Sequence, residues 1–361
     1  MGLFGGNKNQ LVGLDIGSSA VKVCELQVLG KGANQRYRLQ KLGVAPLPFD
    51  AIVDGDIMDS NAVAAAIRQV LAEQKIKARD VAISVAGQQV MVKKVTFPLM
   101  SPTELAESVR WEAESFFPAG QGLDAYALDF AVLEERPSEG NMDVVLVACR
   151  KDKIESFISC VAMAGARSVL VDVDVFALQN AFEVNTSGGG RGDEVVALVN
   201  IGAQFTNLTM LVGRKSLFWR DIAWGGHRFT DKLMEDWGIS REAAEQLKEG
   251  IPAEGRSPEE VEPSLSAISD SFADELGRTI DFFRSSFKVD RLDRVLLSGG
   301  SAKINKLPEV LGDRLRVSVD RLNPFQLLEM DERSLDPAVV NGVGCTAAIA
   351  VGLALRQVGD R

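Results

Sequence analysis

Apolar positions come in strand-length bursts at the start of the chain: "QLVGLDIG", "SAVKVCELQVLG" and "YRLQKLGVAPLP", the last stopped by Pro46 and Pro48. The next segment, "SNAVAAAIRQVLAEQKI", shifts to helical spacing, with Ser60 or Asn61 as its expected cap, and "DVAISVAG" returns to strand. Three strands, a helix and a strand predict a mixed α/β unit. From about 84 to 170 the chain carries strands and helices of its own: "VMVKKVTFPL", "SPTELAESVRWEAESFF", "YALDFAVLEE", "MDVVLVACR" and "KDKIESFISCVAMAGA". Ser101, Pro102 and Glu104 there form a helix start, with a hydroxyl cap, a proline at the first position and a glutamate at the third. This run is expected to be an inserted subdomain over 84–170. It separates the two pieces of a first lobe, 1–83 and 171–186, from a second lobe over 187–361.

The second half repeats the opening. After the glycine-rich "SGGGRGDE", expected to be a flexible hairpin or linker, "EVVALVNIGAQFTNLTMLVGRKSLFWRDI" predicts three strands joined by turns. Helices follow over "GGHRFTDKLMEDWG" and "SREAAEQLKEG", then a polar, proline-containing loop, "IPAEGRSPEEVEP". Ile268, Phe272, Leu276, Ile280, Phe283 and Phe287 form one apolar face of a long helix. "RVLLSGGSAKINKLPEVLGDRL" predicts strand, Gly-Gly turn and helix, and a small-residue helix over about 343–357 is expected to pack back on the first lobe. "LDIG" and "VNIG" thus recur 185 residues apart, each opening a unit of three strands followed by helices. Internal duplication into two similar lobes is the economical reading.

The 361 residues suit two comparable cores, and the composition, 46% hydrophobic and 25% charged, is that of a globular protein. A formal net charge of -10 argues against nucleic acid as a partner, since neutralising phosphates needs a basic face. No apolar run reaches the roughly 20 residues that span a bilayer, and "MGLFGGNKNQ" lacks the features of a signal peptide, so a cytoplasmic location is expected. Cys24, Cys149, Cys160 and Cys345 are scattered among apolar neighbours and are expected to be core thiols. A single histidine, His227, excludes a three-histidine metal site.

The chemistry lies in the two turns. "DIGSS" offers backbone N–H donors at a turn that Gly17 permits, with the hydroxyls of Ser18 and Ser19 beside them. Asp15 ends the strand where a carboxylate positions a hydrated Mg²⁺ through water, and Lys22 adds positive charge from the returning strand. "NIGAQFTN" offers Gly202, Ala203, Gln204, Thr206 and Asn207. The alternative for each turn is ordinary hairpin chemistry. In "LLSGGSAKI", Gly299 and Gly300 let a flat ring approach the backbone. Glu245 and Lys248 stand three apart on one helix face, which by itself reads as a surface ion pair. Asp172 and Asp174 alternate on a predicted strand and so share a face; one of them orients a water, or they mark a strand end and a helix cap.

The order of these elements resembles the ATPase fold of the actin, Hsp70 and hexokinase superfamily. The fold expected is therefore α/β, with duplicated actin-like (ribonuclease H-like) ATPase lobes around a nucleotide cleft. The insertion resembles that of the FtsA branch, and "VRWEAESFFPAG" with "SVAGQQVMVKKVTFPLMSPTEL" is similar to the PilM family, actin-like proteins of the type IV pilus. The resemblance implies ATP or ADP with Mg²⁺ as cofactors. It assigns Asp15, Gly17, Ser18, Ser19 and Lys22 to the first phosphate element, and Gly202, Ala203, Gln204, Thr206 and Asn207 to the second. It puts Gly226, Glu245 and Lys248 near ribose and adenine, and Gly299, Gly300, Ser301, Ala302 and Ile304 in the adenosine loop. Asp15, Asn200 and Asp174 would be the catalytic positions. Asn200 stands where the family pattern has aspartate, so hydrolysis is expected to be slow or absent. The implied partner is the N-terminal cytoplasmic tail of a single-span, PilN-like inner-membrane protein, with a link to the pilus motor ATPases. That tail would place the protein at the inner face of the inner membrane. It would lie between the first lobe and the insertion, with Trp111, Phe116, Phe117 and Pro118 lining or positioning the groove. Alternatives of the same fold are a filament former like FtsA and a small-molecule kinase.

Overall fold

The computed structural model describes residues 11–30, 32, 35–115, 122–186, 192–330, 335, 340 and 342–360. The first lobe opens with an antiparallel meander, β1 (Val12–Ile16), β2 (Ala20–Leu29) and β3 (Arg36–Pro46). A short ribbon, β4 (Ile52–Val53) with β5 (Asp56–Ile57), leads into α1 (Ser60–Glu73). The cap of α1 is Asp59 rather than Ser60 or Asn61: its carboxylate accepts from the N–H groups of Asn61 and Ala62, both at 3.0 Å, and satisfies two orphan donors at once. β6 (Asp80–Val85) then lies parallel to β1.

The insertion follows. β7 (Val90–Pro98), α2 (Pro102–Glu114), β8 (Tyr126–Arg136) and β9 (Asn141–Arg150) build a separate sheet in the order β7-β9-β8 with α2 on one face. α2 starts with the capping box that Ser101 and Glu104 announce. The insertion is shorter than its composition suggests. α3 (Lys151–Met163) packs beside α1, where Phe157, Cys160 and Val161 join the core of Val63, Ile67 and Val70. β10 (Arg167–Val173) pairs parallel with β6. Helical spacing identifies α3 as a helix, but only the tertiary packing returns it to the first lobe.

α4 (Asp174–Asn185) leads to β11 (Val195–Ile201), β12 (Thr206–Val212) and β13 (Lys215–Ile222), then to α5 (Gly226–Trp237), α6 (Arg241–Lys248) and α7 (Pro258–Phe287). α7 begins inside the stretch expected to be loop. Ser257 and Glu260 form a second capping box, and Pro263 is carried inside the helix. β14 (Arg294–Ser298), α8 (Leu307–Leu315) and β15 (Ser318–Arg321) complete the second sheet. β16 (Glu329–Met330) crosses back to pair with β3, and α9 (Ala348–Ala354) ends the fold.

The two sheets are copies. β3-β2-β1-β6-β10 and β13-β12-β11-β14-β15 share order and strand direction. The register repeats too: Asp15 faces Lys22 across the first hairpin, and Asn200 faces Asn207 across the second. Between the sheets lie α4 and α9, whose side chains form one core with Leu39 and Ala82 of the first sheet and Val196, Leu198 and Leu296 of the second. α9 sits backbone against backbone. A Cβ on Gly13 would stand 2.0 Å from the carbonyl oxygen of Ala350, and one on Gly352 would stand 1.7 Å from that of Ala177. Two glycines, not flexibility, thus set the spacing between the lobes.

This close packing predicts opposite effects for two glycine-to-alanine changes. Gly352→Ala is expected to destabilise by about 3 kcal/mol, because backbone has to move. Gly277→Ala, on α7 with only Leu315 Cδ2 near at 3.6 Å, should stabilise by up to about 1 kcal/mol through helix propensity. Urea denaturation midpoints of the two variants check both signs.

Candidate functional site

The two hairpin turns face each other across a cleft between the lobes. The cleft is lined by Asp15, Gly17, Ser18, Ser19, Lys22, Asp174, Asn200, Gly202, Ala203, Gln204, Asn207, Gly226, Glu245, Lys248, Gly299, Gly300 and Ser301. Each turn closes through one backbone bond, Gly17 N–H to the Ala20 carbonyl at 3.2 Å and Gly202 N–H to the Phe205 carbonyl at 2.9 Å. Among the described residues, no backbone carbonyl accepts from the N–H of Ser18, Ser19, Ala203 or Gln204. Such donors, clustered at a turn, suit an anion. Gln204 also ties the turns together: its side-chain oxygen accepts from the Ser18 hydroxyl at 3.2 Å and the Gly55 N–H at 3.3 Å, and its amide nitrogen donates to the Ile52 carbonyl at 2.8 Å.

The duplicated cross-strand position is filled in two ways. In the first copy Lys22 Nζ donates to Asp15 Oδ2 at 2.9 Å, a nearly buried ion pair. In the second copy Asn200 donates through Nδ2 to Asn207 Oδ1 at 2.8 Å, and Asn207 donates through its own Nδ2 to Asp221 Oδ1 at 2.8 Å. Asn200 Oδ1 accepts from the Ser298 hydroxyl at 3.2 Å. Asp221 does not line the cleft. Its other oxygen accepts from the backbone N–H of Gly87 at 2.6 Å. Burial pushes the Asp221 carboxyl up, while the bonds from Asn207 and Gly87 and the charge of Lys153 pull it back.

Asp172 and Asp174 do not share a face, because the strand ends between them. Asp172 closes toward Arg356, with Nε 3.4 Å from Oδ2, whereas Asp174 is the first residue of α4 and faces the cleft. Asp174 is pushed up to about 7, first by burial and then by the charge of Asp15, against a bond from the Ser84 hydroxyl.

On the second-lobe side, Lys248 is buried and reaches Glu245 Oε2 at 2.7 Å, the Thr230 hydroxyl at 2.9 Å and the Gly226 carbonyl at 3.4 Å. Burial works to raise Glu245, and the Lys248 charge with its hydrogen bond outweighs it, leaving the carboxyl below its usual range. The pair is thus both an ion pair and a cleft wall. Gly299 holds φ at +88°, and a Cβ there would stand 2.4 Å from the Ile201 carbonyl oxygen. Gly300 is different: a Cβ on it would meet no protein atom within 4 Å. That opening, beside the free donors of the turns, fits the flat base and phosphates of a nucleotide. For a metal the donor set is sparse. Among the described residues no three acids, histidines or cysteines cluster, so a cation there would rely on Asp15, Asp174 and waters.

Three expected residues are not brought to the cleft. Thr206 points to the opposite side of β12 from Asn207 and donates its hydroxyl to the Trp224 carbonyl at 2.6 Å. Ala302 and Ile304 turn into the hydrophobic core of the second lobe. Conversely His227, Ser84, Gly55 and Ile349 line the cleft without belonging to any motif. His227 is marked in the sequence only by following Gly225-Gly226. Its ring lies 5.3 Å from that of Phe49, and burial lowers its proton affinity.

A second groove lies between the insertion and the two lobes, where three outer strands meet: β8 at Phe130–Glu134, β10 at Leu170–Val173 and β13 at Lys215–Trp219. Phe176 and Trp219 meet there edge to face, with ring centroids 5.9 Å apart. Trp219 Nε1 and Asp172 Oδ2 are buried without a hydrogen-bond partner, and burial raises the Asp172 carboxyl. Trp111 is not part of this groove. β9 sends Met142, Val144 and Leu146 toward α2 and Val145 and Val147 toward the groove, so the thickness of a sheet separates them, and Trp111 stands 75% exposed on the outer side. Phe116, Phe117 and Pro118 lie outside the described residues, as do the N-terminal decapeptide and 187–191 of the glycine-rich stretch. The four cysteines are buried, and burial raises every thiol. Among the described residues no helix is long and apolar enough to cross a membrane.

A sequence model of the family described as type IV pilus assembly protein PilM matches residues 13–358. Among solved structures, the chain is similar to one described as a PilM–PilN type IV pilus biogenesis complex, with 28% identity over 97% of this chain and 99% of that one and a TM-score of 0.82. It is also similar in fold to the ethanolamine utilization protein EutJ from Carboxydothermus hydrogenoformans (15% identity, 96% of this chain, 89% of that one, TM-score 0.57). A third similar structure is MreB5 of Spiroplasma citri bound to ADP (11% identity, 96% of this chain, 95% of that one, TM-score 0.50). The fold is that of the actin-like ATPases.

Two predictions follow from the cleft itself. Gly300→Val should leave thermal stability within about 0.5 kcal/mol and weaken nucleotide binding by roughly tenfold or more, read by calorimetric titration. The folded state of Asp174 keeps a proton that the unfolded chain has released between about pH 4 and about pH 7, so this group costs stability as pH rises through that window. Asp174→Asn should therefore melt several degrees above the parent at pH 8 and converge with it below about pH 4, as thermal scans across pH will read.

Proposed function

The chain belongs to the PilM family of type IV pilus assembly proteins, and from that membership we propose that it is an ATP-binding scaffold. It holds the N-terminal cytoplasmic tail of a PilN-like inner-membrane protein and links that tail to the pilus motor. The observation that carries this reading is the groove where β8, β10 and β13 meet. Its open strand edges, its aromatic floor and the buried Trp219 Nε1 that lacks a hydrogen-bond partner suit an extended peptide that adds its backbone to a sheet edge and places alternate side chains into the cavity. The protein works at the cytoplasmic face of the inner membrane because its partner's tail lies there.

The cleft supplies the nucleotide function. The N–H groups of the two turns and Lys22 hold the phosphates, and Gly300 with Glu245 and Lys248 frames the nucleoside. Mg²⁺, when bound, would be held through water by Asp15 and Asp174 and would lower the charge cost of bringing phosphates beside them. Asn200 brings an amide oxygen and no charge to the second turn, so water activation is weak and turnover slow or absent. A bound nucleotide then serves as a strut that sets the angle between lobes sharing one core. The family match and the peptide groove favour this reading over a filament former or a small-molecule kinase.

Co-purification with a peptide of the partner's tail, with and without Mg·ATP, tests both halves. Phe176→Ala removes the aromatic floor of the groove and should weaken peptide binding by about tenfold or more while leaving nucleotide affinity unchanged, as calorimetry of each ligand will read. Loss of both affinities together, or of neither, overturns the assignment of the groove.

A further inference from the structure

The polar chain that starts at Asn200 does not end in the second lobe. It runs from Asn200 to Asn207 to Asp221, and from Asp221 Oδ2 to the backbone N–H of Gly87. Gly87 lies in the connection between β6 and β7, where the chain leaves the first-lobe sheet for the inserted one. It holds φ at +97°, and a Cβ there would stand 3.6 Å from the ring of Phe205, which belongs to the second hairpin turn. One carboxylate therefore touches the wall of the cleft on one side and the root of the insertion on the other.

We propose that Asp221 is a positioning residue that couples the nucleotide cleft to the groove. This rests on the reading of the cleft as a nucleotide site and the groove as a peptide site. Its two oxygens act as acceptors, one for each lobe. Because Asp221 takes the NH₂ of Asn207, Asn207 has to turn its oxygen to Asn200. Asn200 in turn has to point its own NH₂ at Asn207 and its oxygen at Ser298 and the Gly299 side of the cleft. The direction of two buried amides is thus set by a residue that lines neither site. A ligand that pulls on the oxygen of Asn200 pulls on the same chain that holds Gly87, and a shift of Gly87 re-aims β7 and the sheet that forms one wall of the groove. Lys153 braces the first-lobe side of the joint, bonded to the Gly55 carbonyl and 3.3 Å from Asp56 Oδ1. An asparagine at 221 has one acceptor for two N–H donors, so Asp221→Asn breaks one of the two links and leaves the side-chain volume unchanged.

The test is a thermodynamic square measured by calorimetry with Mg·ATP and a synthetic peptide of the partner's N-terminal tail. In the parent protein each ligand is expected to change the affinity of the other by the same factor, about fivefold or more. In Asp221→Asn the mutual factor should fall to near one. A factor that survives the substitution overturns the proposal, and so does a parent protein that binds both ligands with no mutual effect. A parent protein that binds neither ligand defeats the functional reading itself, a separate outcome. Should Asp221→Asn not fold, amide exchange at Gly87 in the parent decides: it should change on adding Mg·ATP, and an unchanged rate overturns the proposal.

Discussion

A strand that ends at a ligand cleft has to satisfy its buried polar atoms without using up the donors of the turn beside it, and the architecture depends on how this is done twice. The duplicated hairpins present the same cross-strand position to the cleft, occupied by Asp15 with Lys22 in one copy and by Asn200 with Asn207 in the other. The first solution is an ion pair, complete in itself. It leaves a carboxylate and an ammonium in the cleft with no net charge, the ammonium oriented by its neighbour. The second solution is neutral and is not complete in itself. An amide pair needs something to fix which end donates, and Asp221 does that from outside the cleft. The asymmetry is therefore more than the loss of an acid. The charge of the second copy sits at Asp221, outside the cleft, and not at the cross-strand position that Asp15 fills in the first.

The cleft keeps its shape because the lobes share a core. α4 and α9 lie between the sheets, and the close backbone approach at Gly13 and Gly352 leaves no layer of side chains to slide on. Any opening or closing of the cleft would have to be a rotation about this packed layer. The contacts that cross the cleft at its mouth, Gln204 to Ser18 and Gly55, and Phe49 to His227, are polar or aromatic and partly exposed, so they are the ones that can be remade.

Much of this was legible in the chain. Two copies of strand, Ile-Gly, turn and strand predicted two similar units, because a tight turn with free donors needs glycine at the same place. The period of two along β12 explains why the motif carried Thr206 along with Asn207 although only Asn207 reaches the cleft. Ala302 and Ile304 failed for a related reason: the Gly-Gly loop is ligand-facing at the glycines, and its apolar residues turn inward. The groove was expected beside the insertion only from the family resemblance, and its walls were not legible. It is made by three strand edges from three parts of the chain, and no periodicity records which edges meet. Trp111 drew attention as an aromatic in a helix, yet the alternation of β9 puts the groove on the other face of the sheet. The extent of the insertion was hidden in the same way, since a helix such as α3 looks alike whichever sheet it covers.

The break between Asp172 and Asp174 joins these points. As alternating residues of a continuous strand they would have served one site. Because β10 ends at Val173 and α4 begins at once, the two acids serve different ones: Asp172 faces the groove beside Arg356, and Asp174 faces the cleft beside Asp15. The first turns of α4 repeat the division, with Asp174 on the cleft and Phe176, Gln179 and Asn180 on the groove. α4 is also part of the core that both lobes share, through Ala177, Leu178, Ala181 and Phe182. A rotation of the lobes that displaces this helix changes both concavities together, with no long path between them. The strand-to-helix junction at Val173 sets the two sites back to back, and the polar chain through Asp221 ties the second lobe into the same neighbourhood from the other side.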